Sequence, residues 1–104
     1  MILLNVVEPM LPSEAGKRQM EKNISKSREV LSRVKSKLED VMDVRTVTRV
    51  GNPPGEILKA AYEFEATCIM LSSRLKRPIL GSITSYILSH SKIPVLVCKG
   101  LLDQ

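Results

Sequence analysis

The chain has 104 residues, enough for one domain near the lower end of what builds a well-filled core. Apolar residues make up 43% and charged residues 26%, a globular composition rather than a disordered one, and no apolar run approaches the ~20 residues of a bilayer span. The net charge of +5 raises the question of an anionic partner. However, Tyr62, Phe64 and Tyr86 are too few to form the stacking platform of a single-strand nucleic-acid binder, and runs such as Lys35-Ser36-Lys37-Leu38-Glu39-Asp40 mix both signs as a solvated helix face does. Nucleic acid and membrane are therefore not expected partners.

The opening Met1-Ile2-Leu3-Leu4-Asn5 lacks the basic flank and small-residue cleavage site of a signal peptide, so a cytoplasmic location is expected. Leu3 to Val7 instead predicts a strand buried on both faces, stopped by Pro9 and Pro12. Ser13 then precedes a helical pattern, with Glu14 placed where the helix dipole favours a negative charge. Met20, Ile24, Leu31, Val34, Leu38 and Val41 form one apolar stripe, interrupted by Ser27, that is expected to cover a sheet.

Val44 to Val50 predicts a strand with one wet face, carrying Arg45 and Arg49 beside Val47. Gly51-Asn52-Pro53-Pro54 makes a turn in which Asn52 caps, and Pro53 begins, a helix whose apolar side is Ile57, Leu58, Ala61 and Phe64. This helix is expected to run to about Glu65. Cys68 to Leu71 predicts a third strand, followed by the polar loop Ser72-Ser73-Arg74-Leu75-Lys76-Arg77-Pro78. Gly81-Ser82 opens a last helix with Ile83, Tyr86 and Ile87 on its apolar side, and Val95 to Cys98 closes the chain as a strand. The order β-α-β-α-β-α-β favours a parallel sheet with helices on its faces, in one domain spanning residues 1–104.

Both cysteines fall in strand-like segments, without the spacing of a zinc or redox motif, and are expected to be buried thiols. With one histidine, His90, placed near a helix C-terminus, no catalytic metal site and no nucleophile–base pair can be picked out, and no enzyme mechanism is expected. Ligands of open parallel sheets bind beyond the carboxyl ends of the strands. The local feature best suited to an anion is Gly81-Ser82-Ile83-Thr84: free N–H groups of a helix start carry partial positive charge, Gly81 admits close approach, and Ser82 and Thr84 offer hydroxyls. Ser82 also fits a plain N-cap, and Arg74, Lys76 and Arg77 fit either direct charge on a phosphate or an exposed basic loop.

Four segments resemble the universal stress protein family, in the family's order. They are Leu3-Leu4-Asn5-Val6-Val7-Glu8-Pro9, Val50-Gly51-Asn52-Pro53-Pro54-Gly55-Glu56-Ile57-Leu58, Leu80-Gly81-Ser82-Ile83-Thr84 and Ser91-Lys92-Ile93-Pro94-Val95-Leu96-Val97. The resemblance implies a flavodoxin-like (adenine nucleotide alpha hydrolase-like) parallel sheet with helices on both faces, truncated to about four strands, because the first segment matches the family's second strand. Either the remaining strands close up into one sheet or a partner fills the gap.

It also implies a nucleotide site, of which Val6, Gly81 and Ser82 carry over, with Thr84 and Arg74 nearby. The aspartate that recognises adenine in the family has no counterpart. Ser72 and Leu75 stand where the nucleotide-binding members carry glycines, and only five residues separate Leu75 from Gly81. The resulting expectation is a non-enzymatic stress-response or regulatory domain with no cofactor, acting through homodimerisation by Val95, Leu96 and Val97 or through a partner. The alternative is an ATP- or AMP-binding member, with ATP held together with magnesium.

Overall fold

The computed structural model describes residues 1–73 and 81–99, and its contacts divide the chain into two units, Met1–Glu56 and Ile57–Gln104. The elements in order are β1 (Ile2–Val7), α1 (Glu14–Leu38), β2 (Arg45–Val50), α2 (Pro53–Glu63), β3 (Ile69–Ser73), α3 (Ser82–His90) and β4 (Val95–Lys99). The predicted order of strands and helices is the observed one.

In the first unit β1 and β2 pair in parallel, in register from Ile2 opposite Arg45 to Val7 opposite Val50. Parallel neighbours need a long crossover, and α1 provides it, packing on both strands. Its start is tightly built. Ser13 caps it by accepting from the Gly16 N–H at 3.0 Å, and a Cβ at residue 16 would run into the Leu11 carbonyl, so only glycine fits. At the other end Lys35 and Lys37 oppose the negative end of the helix dipole. The helix stops at Leu38, one turn before the predicted stripe ends, and Val41 is left 76% exposed in the turn that follows.

The buried face of α1 centres on Gly16, Ser27 and Leu31. Ser27 therefore belongs to the packed stripe and does not interrupt it. It is only 3% exposed and does not lack partners: Asn5 Nδ2 donates to its Oγ at 2.8 Å, and its Oγ lies 3.0 Å from Thr48 Oγ1. Asn5 and Thr48 are opposite each other in the β1–β2 register, so one hydroxyl ties helix and both strands together. β1 is less enclosed than its apolar sequence predicts: Val7 is buried, whereas Ile2 is exposed, and so is Asn5 although it reaches Ser27 on the α1 side.

α2 begins at Pro53 as predicted, its first turn closed by Glu56 N–H to the Asn52 carbonyl at 2.9 Å. It ends in a Schellman arrangement: Ala66 N–H reaches the Ala61 carbonyl, Glu65 N–H reaches the Tyr62 carbonyl, and Glu65 sits at φ 52, a conformation usually left to glycine.

The second unit repeats the parallel theme, β3 pairing with β4 from Ile69 opposite Val95 to Ser73 opposite Lys99, with α3 between them in sequence. Ser72 and Ser73, expected in a loop, thus belong to the strand. Ala60, Ile69 and Ile87 are its deeply buried apolar residues among those described. The cysteines depart from expectation: Cys68 is exposed and Cys98 half-buried, because they share the sheet face of Met70 and Leu96, which are both 50% exposed. Among the described residues the strands pair in parallel as β1–β2 and β3–β4.

Removing the Ser27 hydroxyl strands Asn5 and Thr48 without a shared partner. Ser27→Ala is expected to lower unfolding free energy by about 1–3 kcal/mol, measured as a shift in urea midpoint at unchanged slope.

Candidate functional site

The carboxyl ends of β1 and β2 come together in the first unit. Val6 is half-buried there and lies opposite Arg49 in the register. Arg49 Nη1 is 3.8 Å from Glu56 Oε2 at the start of α2, and both side chains are about four-fifths covered, at 20% and 22% exposure. Gly51 makes this pair possible: a Cβ there would come within 2.7 Å of the Glu56 side chain. The turn thus uses glycine to let a carboxylate fold back over the strand end. The Arg49–Glu56 pair escaped the sequence reading, although Gly51 standing between an arginine and a glutamate five residues further on was its visible signal. Breaking a largely covered pair of this kind from one side leaves the other charge uncompensated.

In the second unit the start of α3 carries the other sequence-predicted residues. Gly81, not Ser82, is the N-cap, with φ −67 and ψ 163, and makes no side-chain cap. Its carbonyl accepts from Ser85 N–H at 3.0 Å, and a Cβ placed on it would meet nothing within 4 Å. Ser82 is exposed as the first helical residue, and Thr84 is half-buried in the same turn. Among the described residues nothing fills the space beside Gly81, and no side-chain cap competes for the first-turn N–H groups.

Arg74, Lys76 and Arg77 lie outside the described residues, as does Leu75. Val6 belongs to the first unit and Gly81, Ser82 and Thr84 to the second, so each group is described by itself. At the far end of α3, His90 Nδ1 is 2.9 Å from the Tyr86 carbonyl, and the two rings stack at 3.9 Å. That satisfies the ring locally, in keeping with a structural histidine. Among the described residues no cluster of three or more His, Cys, Asp or Glu could hold a metal ion, and no helix is long and apolar enough to cross a membrane.

Comparison with known proteins agrees with this architecture. The model of the universal stress protein family matches residues 1–99. Universal stress protein MJ0577 of Methanocaldococcus jannaschii is 36% identical over 74 residues, an alignment covering 66% of this chain and 46% of that protein. The chain thus spans about half the length of the curated relative it matches. The solved structure of MJ0577 superimposes with a TM-score of 0.85 at 30% identity, covering 94% of this chain and 73% of the other. The crystal structure of hypothetical protein PH0823 gives a TM-score of 0.73 at 31% identity with the same coverages. The parallel strands flanked by helices are those of a flavodoxin-like α/β fold.

The role of Gly51 is open to a double-mutant cycle. Gly51→Ala should cost about 1 kcal/mol in denaturant unfolding, and most of that cost should vanish in a Glu56→Ala background, where the displaced side chain is gone.

Proposed function

Because the chain belongs to the universal stress protein family, we propose that it is a non-enzymatic regulatory domain of the stress response that works by pairing with a second copy of itself through β4. The observation that carries this reading is the state of β4. It is hydrogen-bonded to β3 along one edge, its other edge has no strand partner among the described residues, and its Leu96 lies beside Met70 in register on an exposed apolar face. Unpaired edges template further strand addition, and an apolar strand such as Val95-Leu96-Val97 gains from being covered. The candidate site adds nothing catalytic: its arginine and glutamate neutralise each other, and the sole histidine is engaged with its own helix.

Light scattering across a wide concentration series should report a dimer. Leu96→Lys, which sets like charges against each other across a symmetric contact, should shift the mass toward the monomer with an unchanged circular-dichroism spectrum. A monomer at every concentration overturns the reading.

The start of α3 favours a second reading, binding of ATP or AMP, because its N–H groups and the open space at Gly81 suit a phosphate. Against it stands the sequence, which carries Ser72 and Leu75 where the nucleotide-binding members of the family carry glycines. Titration calorimetry with ATP and magnesium is expected to give no binding heat at about 1 mM nucleotide, the weak end of useful affinity. Saturable heat that Gly81→Val abolishes would establish the nucleotide reading in its place.

A further inference from the structure

The connection from β1 to α1 folds back along the first turns of the helix and leaves a groove of about 720 Å³. Met10 and Leu11 line it from the connection, and Lys17, Met20, Glu21 and Ile24 line it from α1. The groove belongs wholly to the first unit, whereas β4 belongs to the second. Leu11 is 81% exposed, although its backbone is held. Ser13 N–H donates to the Leu11 carbonyl at 2.8 Å, and that same carbonyl is what excludes a Cβ at residue 16. A large apolar side chain is thus presented on a fixed backbone beside an apolar hollow, and covering it requires little further ordering.

Two charges at the groove are uncommitted. Lys17 and Glu21 are exposed and one turn apart, with lysine on the N-terminal side, the poorer order for a pair within one helix. Their side chains make no ion pair or hydrogen bond among the described residues. The other charges of α1, which holds eight lysines and arginines against three glutamates, are placed differently. Glu14, at the rim of the groove, faces Arg18 at 3.9 Å. Arg28 stands one turn beyond Ile24. At about 100° per residue, Lys22 and Lys26 lie roughly half a turn around the helix from the groove.

We propose that this groove is a second contact between copies of the chain, in which the first turns of two α1 helices lie antiparallel about a two-fold axis level with Gln19. Complementarity of charge selects the occupant. Gln19 is midway between Lys17 and Glu21, so about that axis Lys17 of each copy meets Glu21 of the other. One patch then supplies both halves of two equal ion pairs, as a self-complementary surface must. Shape follows the same rule, because the patch carries both a knob and a hollow. Leu11, held at the level of the first helical turn, comes against Ile24 of the other copy, and Met20 of each copy lies near the axis, where its flexible thioether fills uneven space. No like charges are set against each other. Arg28 falls level with Met10 of the other copy, which its aliphatic stem can cover, and Lys22 and Lys26 point away from the contact. A foreign helix would have to reproduce this pattern of charge and shape, whereas a second copy carries it already.

The test is sedimentation equilibrium of the full chain carrying Leu96→Lys, which takes the β4 contact out of the reading. Few side chains meet in the groove, so the expected result is a dimer with a dissociation constant of about 0.1 mM, read between about 0.02 and 1 mM chain. Adding Lys17→Glu turns two attractions into repulsions and should weaken the dimer roughly 30-fold. Adding Glu21→Lys to that variant exchanges the two charges and should restore the affinity to within about threefold of the starting value. Lys59→Glu, at an exposed lysine off the helix, should leave the dimer as it was. A monomer at about 1 mM, a dimer indifferent to Lys17→Glu, or an exchange that restores nothing overturns the proposal. Such a failure leaves the β4 pairing standing, since that contact is read at lower concentration with Leu96 in place.

Discussion

A single buried hydroxyl settles the geometry of the first unit. Ser27 sits at the centre of the α1–sheet contact, where a polar atom without partners would cost more than the helix face could return. It is tolerated because β1 contributes Asn5 and β2 contributes Thr48 at matching positions of the parallel register, so that all three side chains meet. Apolar contacts alone would let α1 slide or roll by a residue with little penalty. The three-way polar contact does not, since any shift leaves the buried Ser27 hydroxyl unpaired.

That constraint was written in the sequence but concealed by its own chemistry. Periodicity made β1, α1, β2, α2, β3, α3 and β4 legible, because a β-α-β-α order leaves a strong alternation of short apolar runs and amphipathic stretches. Capping residues fixed two helix starts, at Ser13 and Pro53, for the same local reason. What periodicity cannot show is a polar residue that belongs in the core. Ser27 looked like a break in the stripe because its partners lie 22 and 21 residues away. Val41 failed in the opposite sense: its spacing continued the stripe, but the backbone had already turned at Glu39, where Val41 and Met42 N–H groups both return to the Leu38 carbonyl.

The candidate site was legible to a similar depth and no further. The start of α3 is where the sequence places it, yet the cap belongs to Gly81 and not to Ser82. Gly51 was read as a turn residue, which it is, while its second duty of admitting the Glu56 side chain to Arg49 depends on where α2 leaves the strand. The cysteines were assigned by residue type, and type misled: an apolar-looking strand does not by itself bury a side chain, and Cys68 is exposed and Cys98 half-buried. Leu96 and Met70 make the same point.

Burial and charge on α1 are two consequences of one rotation. A helix can present any flank to solvent, and composition alone leaves its eight cations as an average around the circumference. Once Ser27 is pinned to Asn5 and Thr48, that freedom is gone, and the flank carrying Lys22, Lys26, Arg33 and Lys37 stands clear of the strands by roughly a quarter to a third of a turn. The uncharged bond that orders the core thereby decides which cations stand clear of the strands, and Glu29 stands among them, 3.4 Å from Arg33. A helix converts spacing of three, four and seven into adjacency and spacing of two into opposition, so Glu29 falls beside Lys22, Lys26 and Arg33 on the surface as well.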